Sequence, residues 1–187
     1  MVKKKQKPTV KKDAEYYEIH PLILDLKSKN GLVRERAREK LVAIGAPAVT
    51  HLAKLTSQRA AILRWEAVKA LGQIADPGST PVFITALRDK DEEVRWLAAE
   101  GLIAVGAGAI EPLLQELVKK SKSVLLRKGA HHYFSALRDL EESSRFDDLL
   151  SALESPEAKL NTPIAVEKLL KIMQVKYQGA GMRPKNQ

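Results

Sequence analysis

The residue types that most often do chemistry are sparse in this chain and poorly placed for it. The sequence contains no cysteine and has four histidines, at His20, His51, His131 and His132. His131 and His132 are adjacent, so on a helix their side chains point about 100° apart and do not converge on one metal ion. Carboxylate pairs such as Asp147-Asp148 lie in polar turns, where solvation or helix capping accounts for them.

Short catalytic motifs are also missing. The GAGA segment at 106–109 lacks the Lys-Ser of a phosphate-binding loop, and there is no G-x-S-x-G or Cys/His pair. The sequence therefore predicts no catalytic residue, no metal ligand and no cofactor, and it argues against an enzyme that carries a complete active site of its own.

The clearest pattern is a motif that occurs four times. Its arginines, Arg34, Arg64, Arg95 and Arg127, are separated by 30, 31 and 32 residues. An alanine follows each arginine by three residues, and large apolar residues follow by seven and ten. A repeat of this period indicates stacked supersecondary units rather than a globule built around one site. We call these four residues the arginine row.

The elements that carry the motif are predicted to be helices. In the second copy, Leu63, Ala67, Leu71 and Ile74 fall on one helical face. Breakers follow the first three motif helices at 45–47, 76–78 and 106–108, and second helices are expected near 47–56, 79–88 and 109–120. Two more helices, about 145–153 and 163–176, complete an all-α chain with no transmembrane helix.

The charge lies mainly at the two ends of the chain. Its net value is +9, and nine of the 32 basic residues but none of the 23 acidic ones fall in residues 1–12 and 176–187. We expect residues 1–13 to be a disordered basic arm, 14–177 to be the helical array and 178–187 to be a second disordered tail. The neutral array argues against a uniformly basic groove for nucleic acid, and the lack of cysteine favours a cytoplasmic location.

Residues 63–106 resemble the HEAT-like repeat of the phycobilisome-lyase type. The resemblance lies in Leu71-Gly72-Gln73-Ile74, in Leu87-Arg88-Asp89, and in Val94-Arg95 followed by Ala98. It implies a right-handed α-solenoid of about four and a half helical hairpins, an armadillo-like architecture. HEAT-like di-iron hydroxylases use repeated His-Glu pairs, and none occurs in this sequence.

The resemblance gives the arginine row a structural role. In HEAT repeats an aspartate six residues before the arginine commonly forms a ladder of ion pairs along the stack. Asp89 precedes Arg95 at this spacing, whereas the other copies have Ser28, Gln58 and Ser121. Hydrogen bonds from serine or glutamine are expected to replace the missing ion pairs.

Two further rows are candidates for partner binding. Trp65 and Trp96 each follow an arginine of the row, about 200° around the helix from the buried alanine. They form either a partner-binding ridge or a shield over the seam between units. Lys54, Arg88 and Lys119 form a basic stripe on the second helices, which line the concave face of HEAT-type arrays. This stripe either faces an acidic ligand or stabilises helix C-termini.

These features lead to one hypothesis and two alternatives. We expect a non-enzymatic interaction or scaffold module that binds a protein partner, acidic if the basic stripe is its site. The first alternative is a bilin-lyase-like or phycobiliprotein-handling subunit, implied only by the resemblance. The second is weak nucleic-acid association through residues 1–12, which serve solubility in the simpler interpretation. No membrane partner is expected.

Overall fold

A computed structural model of the chain describes residues 10–141 and 144–180. In this part of the chain there are ten α-helices, short 3₁₀ turns and no strand. Their bounds are α1 Val10–Asp25, α2 Gly31–Ile44, α3 Ala46–Leu55, α4 Ala61–Ile74, α5 Thr80–Ala86, α6 Glu92–Val105, α7 Ile110–Lys119, α8 Val124–Glu141, α9 Asp147–Glu154 and α10 Ala158–Ala180. The all-α prediction is confirmed.

The helices pack in two layers. The four motif helices α2, α4, α6 and α8 lie side by side in chain order, and α3, α5 and α7 pack beneath α4, α6 and α8 respectively. Helix α1 packs on α2 and α3 at one end, while α9 and α10 cover α8 and α7 at the other. Each equivalent position on the motif helices therefore has its counterparts on the neighbouring helices.

The core consists of the repeated small and large apolar positions. The motif alanines and the residues seven positions after each arginine are at most 2% exposed: Ala37, Ala67, Ala98, Ala130, Leu41, Leu71, Leu102 and Phe134. Alanine lets neighbouring helices approach, and the larger side chains fill the space between the layers. The rest of the core is mainly aliphatic, and Tyr133, Phe134 and Phe146 form an aromatic cluster near the end of the stack.

The turns between helices form where the breakers predict them. Gly45 and Gly106 have positive φ angles of 74° and 73°, a region that favours glycine. Asn30 and Asp91 cap the N-termini of α2 and α6 by accepting hydrogen bonds from backbone N–H groups. These turns fix where each motif helix begins and therefore align the arginine row.

One stretch, Glu92–Lys119, is long and apolar enough by length and composition to cross a membrane. It contains two helices, α6 and α7, which are separated by a 3₁₀ turn at Gly106–Ala109. Both helices pack against other helices of the array. Their apolar residues are therefore explained by the core that they help to build.

The domain boundaries predicted from composition stay predictions. Residues 1–9 of the proposed arm and 181–187 of the proposed tail lie outside the described residues, as do 142 and 143. Helix α1 begins at Val10 and helix α10 ends at Ala180.

Candidate functional site

The arginine row first of all holds the turns of the array. Each arginine extends back from its helix to the turn that precedes it, where Nη1 donates a hydrogen bond to the backbone carbonyl six residues earlier. The acceptors are Ser28, Gln58, Asp89 and Ser121 for Arg34, Arg64, Arg95 and Arg127 respectively. In the first three copies the carbonyl five residues earlier accepts as well. The residue at this position thus contributes its backbone carbonyl, whether it is serine, glutamine or aspartate.

Carboxylates join the first two members of the row to the next repeat. Nε and Nη2 of Arg64 donate to the two carboxylate oxygens of Asp89 at 2.7 Å each. Nε of Arg34 donates to Glu66 at 3.1 Å, and Nη1 of Arg38 donates to the same carboxylate at 2.5 Å. The carboxylate of Asp89 therefore pairs with the arginine of the preceding repeat, while its carbonyl serves Arg95.

The Arg64–Asp89 pair shifts both titrations. Burial by itself raises the pKa of Asp89, but hydrogen bonds from Arg64 and from the backbone N–H of Asp91 outweigh it, so the net pKa of the carboxyl is lowered. The hydrogen bond to Asp89 raises the pKa of Arg64 against the opposing effect of burial. Both groups stay charged over the neutral range.

A groove runs between α4 and α6 on the outer side of the motif-helix layer. It encloses about 850 Å³ and is mainly apolar. The lining residues are Trp65, Val68, Lys69, Gly72, Gln73, Glu92, Glu93, Trp96, Leu97, Glu100, Gly101 and Ala104. We call it the α4/α6 groove.

Two glycines allow the helices that border this groove to approach. A Cβ built on Gly72 would lie 3.5 Å from the Cα of Gly101, an ordinary contact. A Cβ on Gly101 would lie 2.5 Å from Cε1 of Phe83, which is fully buried on α5. Sequence reasoning missed this pair, although glycine inside a helix is a recognised sign of close approach.

The two tryptophans that border the groove differ in how far they are exposed. Trp65 is partly buried and has Nζ of Lys69 at 4.5 Å and Cζ of Arg38 at 5.6 Å from its ring centroid. Trp96 is 58% exposed and separates the α4/α6 groove from a smaller cavity between α6 and α8. The structure thus places Trp65 against neighbouring side chains and leaves Trp96 open to a ligand.

The α6 wall of the groove is acidic. Glu92, Glu93 and Glu100 flank Trp96, whereas Lys69 is the cation among the lining residues. Glu100 lies 2.8 Å from Nε2 of His132. Among the described residues, neither Glu92 nor Glu93 takes part in an ion pair. The groove therefore combines an apolar floor and an indole with a negative wall, an arrangement that suits a cationic side chain with an aliphatic stem.

The three residues of the predicted basic stripe differ in exposure and in charge pairing. Lys54 and Lys119 are exposed in the last turns of α3 and α7. Arg88 is partly buried and lies 3.7 Å from the carboxylate of Glu116, which also pairs with Lys120. Binding of an acidic ligand by these three residues stays a prediction.

Histidine and acidic side chains do not cluster in the part of the chain whose side chains the structure describes. Within residues 18–141 and 144–173, no group of three or more His, Cys, Asp or Glu side chains is placed to hold a metal ion. The His131–Glu154 and His132–Glu100 contacts are separate pairs on different sides of α8.

Comparison with known proteins gives two findings. HEAT repeats match residues 19–102 and, in a second overlapping match, residues 49–131. Over 86 residues the chain is 34% identical to a deoxyhypusine hydroxylase of Rattus norvegicus. This alignment covers 44% of this chain and 28% of the relative. It is 35% identical over 82 residues to a deoxyhypusine hydroxylase of Coccidioides immitis (strain RS), with 42% and 24% covered. The chain thus matches about a quarter of the length of these relatives.

These relatives correct the functional expectation from the sequence. Because they are named as enzymes, the expectation of a non-enzymatic interaction or scaffold module is wrong. The expectation relied on missing catalytic motifs, but a segment matching a quarter of an enzyme need not contain them.

Proposed function

Because this chain belongs to the HEAT-repeat family, we propose that it is the substrate-binding part of a protein-modifying enzyme, in which the α4/α6 groove holds a cationic side chain of a protein substrate. The observation that carries the proposal is the joint presence of an exposed indole, an apolar floor and an acidic wall in one groove.

Different parts of the groove suit different parts of a long cationic side chain. Trp96, Val68 and Leu97 provide apolar surface for the stem of a long side chain, and the glycine floor leaves room for it. Glu92 and Glu93 sit where an ammonium group at the end of that stem finds opposite charge. A cation beside Trp96 gains a further contribution of about 0.5–1 kcal/mol at an exposed site.

The relatives support the enzymatic context. Their name denotes hydroxylation of deoxyhypusine, and this chain aligns with about a quarter of their length. A role in substrate binding agrees with this partial match and with the described side chains, among which no group of three or more is placed to hold a metal ion. The reacting groups then come from outside the described residues.

We also propose that the array is right-handed, has about four and a half hairpins of the phycobilisome-lyase type of repeat, and is cytoplasmic. The candidate substrate is a protein, bound one segment at a time in the groove.

Site-specific crosslinking tests the proposal. A photoreactive benzoylphenylalanine replaces exposed Gln73 in the groove, and the matched control carries it at exposed Gln115 on α7. The captured proteins are identified by mass spectrometry. Their modifications are then compared between a strain that has the chain and a strain that lacks it. We expect a protein captured only through Gln73 to carry a lysine-side-chain modification that disappears when the chain is deleted. Identical modification in both strains, or equal capture at Gln115, would overturn the proposal.

A further inference from the structure

The arginine row changes character between its second and third members. Arg34 and Arg64 donate to carboxylates of the protein, Glu66 and Asp89. Among the described residues, neither Arg95 nor Arg127 has a carboxylate within ion-pair distance. Arg95 and Arg127 therefore keep the positive charge that carboxylates neutralise at Arg34 and Arg64.

The sequence explains why Arg95 has no such carboxylate among the described residues. Asp89 occupies the position six residues before the next arginine of the row, and the equivalent residue facing Arg95 is Ser121. Glu66 lies two residues after Arg64, and the equivalent residue on α8 is Gly129. A Cβ on Gly129 would lie 2.5 Å from Cδ2 of Leu87, so packing keeps a glutamate out of that place.

Arg127 has a buried donor that is not used. Its Nη1 donates to the Ser121 carbonyl, and among the described residues its buried Nε has no hydrogen-bond partner. In Arg34 and Arg64, Nε donates to a carboxylate oxygen. An unsatisfied buried donor is unfavourable, so a small shift that admits an external acceptor is favoured here.

Two cavities lie beside these arginines and share a third cation. Arg95 lines a cavity of about 210 Å³ between α6 and α8, and Arg127 lines one of about 470 Å³ between α8 and the end of α9. Lys128 lines both cavities. Val124 and Leu125 of α8 border them and are 52% and 36% exposed, so exposed aliphatic groups alternate with the charges. The carboxylates nearby are Glu92 and Glu154, of which Glu154 contacts His131 at 3.0 Å.

We propose that Arg95, Arg127 and Lys128 form a binding strip for a peptide segment with alternating acidic and aliphatic side chains. The carboxylates of the ligand take the places that Asp89 and Glu66 take earlier in the row, and its aliphatic side chains contact Val124 and Leu125. We call these three cations the α8 strip. The strip shares Glu92 and Trp96 with the border of the α4/α6 groove, but its three cations do not line that groove. The proposal does not depend on the function proposed for the groove.

Carboxylate is the anion that an equivalent arginine of the same chain already binds. Arg64 binds Asp89 through two parallel hydrogen bonds of 2.7 Å, the preferred arrangement for guanidinium and carboxylate. The α8 strip offers equivalent arginines at equivalent positions of the stack. The exposed valine and leucine between them suit the aliphatic side chains of a peptide. Trp96 is the indole that borders the strip, whereas single-stranded nucleic acid is typically bound by successive aromatic side chains along a cationic groove.

A substitution that supplies the missing internal carboxylate gives the sharpest test. Ser121→Asp places a carboxylate where it faces Arg95, as Asp89 faces Arg64. Gln58→Asp is the matched control, because it adds the same charge at the same repeat position, where Arg34 already pairs with Glu66. Lys128→Gln removes an exposed cation of the strip without touching a turn, and Arg36→Gln removes an exposed cation of α2 outside it.

The readout is fluorescence anisotropy of a labelled peptide of alternating glutamate and leucine. Its glutamine-for-glutamate analogue and a single-stranded oligonucleotide of equal charge are titrated alongside at fixed ionic strength. We expect the acidic peptide to bind, its glutamine analogue to bind at least tenfold more weakly, and Ser121→Asp to weaken acidic-peptide binding about tenfold. Lys128→Gln is expected to weaken it about threefold, with Gln58→Asp and Arg36→Gln unchanged.

Three results would overturn the proposal. The first is equal binding of the acidic and glutamine peptides. The second is a loss with Gln58→Asp or Arg36→Gln as large as with Ser121→Asp or Lys128→Gln, which would indicate only the general charge of the protein. The third is tighter binding of the oligonucleotide with the same dependence on Lys128, which would make the strip a nucleic-acid site.

Discussion

Arg64 and Asp89 form an ion pair that joins two successive repeats of the array. Both hydrogen bonds measure 2.7 Å, and the side chains are only 6% and 11% exposed. The same guanidinium donates through Nη1 to the carbonyls of Gln58 and Arg59. One side chain therefore holds the turn before its own helix and the turn before the next.

Asp89→Asn is expected to destabilise the chain strongly. The substitution leaves the buried Arg64 without a counter-charge, and removal of one partner of a buried pair costs about 3–5 kcal/mol. Urea unfolding followed by circular dichroism measures the loss. Asp139→Asn, which removes a carboxylate paired with Arg138 at the surface, is the control and is expected to cost at most about 1 kcal/mol.

The same pair predicts a loss of stability in acid. The folded-state pKa of Asp89 lies below its usual value of 3.8, so the unfolded chain takes up a proton at higher pH than the folded chain does. The contribution is present above the usual value and is lost as the pH falls through the lowered folded-state pKa. Urea midpoints measured from neutral pH into this acid range are expected to fall less steeply in Asp89→Asn than in the parent. Parallel curves would contradict this account.

Gly101→Ala is expected to disturb the wall of the α4/α6 groove, whereas Gly72→Ala is not. The new methyl at 101 meets the buried ring of Phe83, and overpacking of this kind costs about 1–3 kcal/mol. At 72 the methyl makes an ordinary contact, and alanine is the better helix former by up to about 1 kcal/mol. Thermal unfolding of the two variants separates close packing from helix propensity, and equal midpoints would argue against close packing.

Tyr133 is expected to make the chain sensitive to alkali. Its side chain is fully buried and its hydroxyl donates to the Gly106 carbonyl at 2.8 Å. Burial, helped by the charge of Glu141 and opposed by that of Arg145, raises the pKa of the phenol well above its ordinary value of 10. The stabilisation is complete below pH 10 and is lost as the pH rises above it, because the unfolded chain ionises first.

Tyr133→Phe tests this dependence directly. The variant loses the hydrogen bond to Gly106, at a cost of about 1 kcal/mol near neutral pH, but it no longer has a phenol to ionise. The gap in unfolding free energy between parent and variant is therefore expected to narrow as the pH rises beyond about 10. A constant gap across that range would show that the phenol titrates alike in both states.

The two tryptophans are expected to report on different environments. Trp65→Phe leaves the exposed Trp96 as the single indole, and Trp96→Phe leaves the stacked Trp65. Acrylamide should quench the first variant more efficiently, and its emission should lie further to the red. Similar quenching in both variants would mean that Trp65 is not covered by Lys69 and Arg38.

The helical repeat could be predicted from the sequence because its signals are local. The spacing of Arg34, Arg64, Arg95 and Arg127, the alanines that follow them and the glycine breakers all act within one or two helical turns. The pattern therefore fixed which residues are buried and where the turns fall. The backbone role of the arginines differs from the prediction, which was a ladder of side-chain partners: each arginine donates to a backbone carbonyl of its own repeat.

The site, in contrast, depends on contacts between repeats. Trp65 and Trp96 occupy the same repeat position, yet Trp65 has Arg38 and Lys69 beside it, while Val68 and Glu100 occupy the equivalent places near Trp96. Two cations therefore cover Trp65, whereas the residues in the equivalent places leave Trp96 exposed. Close packing behind the groove wall likewise depends on another layer, because Gly101 of α6 lets the ring of Phe83 on α5 approach.

The sequence by itself thus determined the helices, their turns and the arginine row, because each depends on residues close together in the chain. Only the tertiary structure decided that Asp89 neutralises Arg64 rather than Arg95, that Arg95 and Arg127 have no such partner in the described part of the chain, and that Trp96 stands open beside an acidic wall. The reason is physical: charge pairing and exposure are set by the residue on the neighbouring helix, and its identity changes from one repeat to the next.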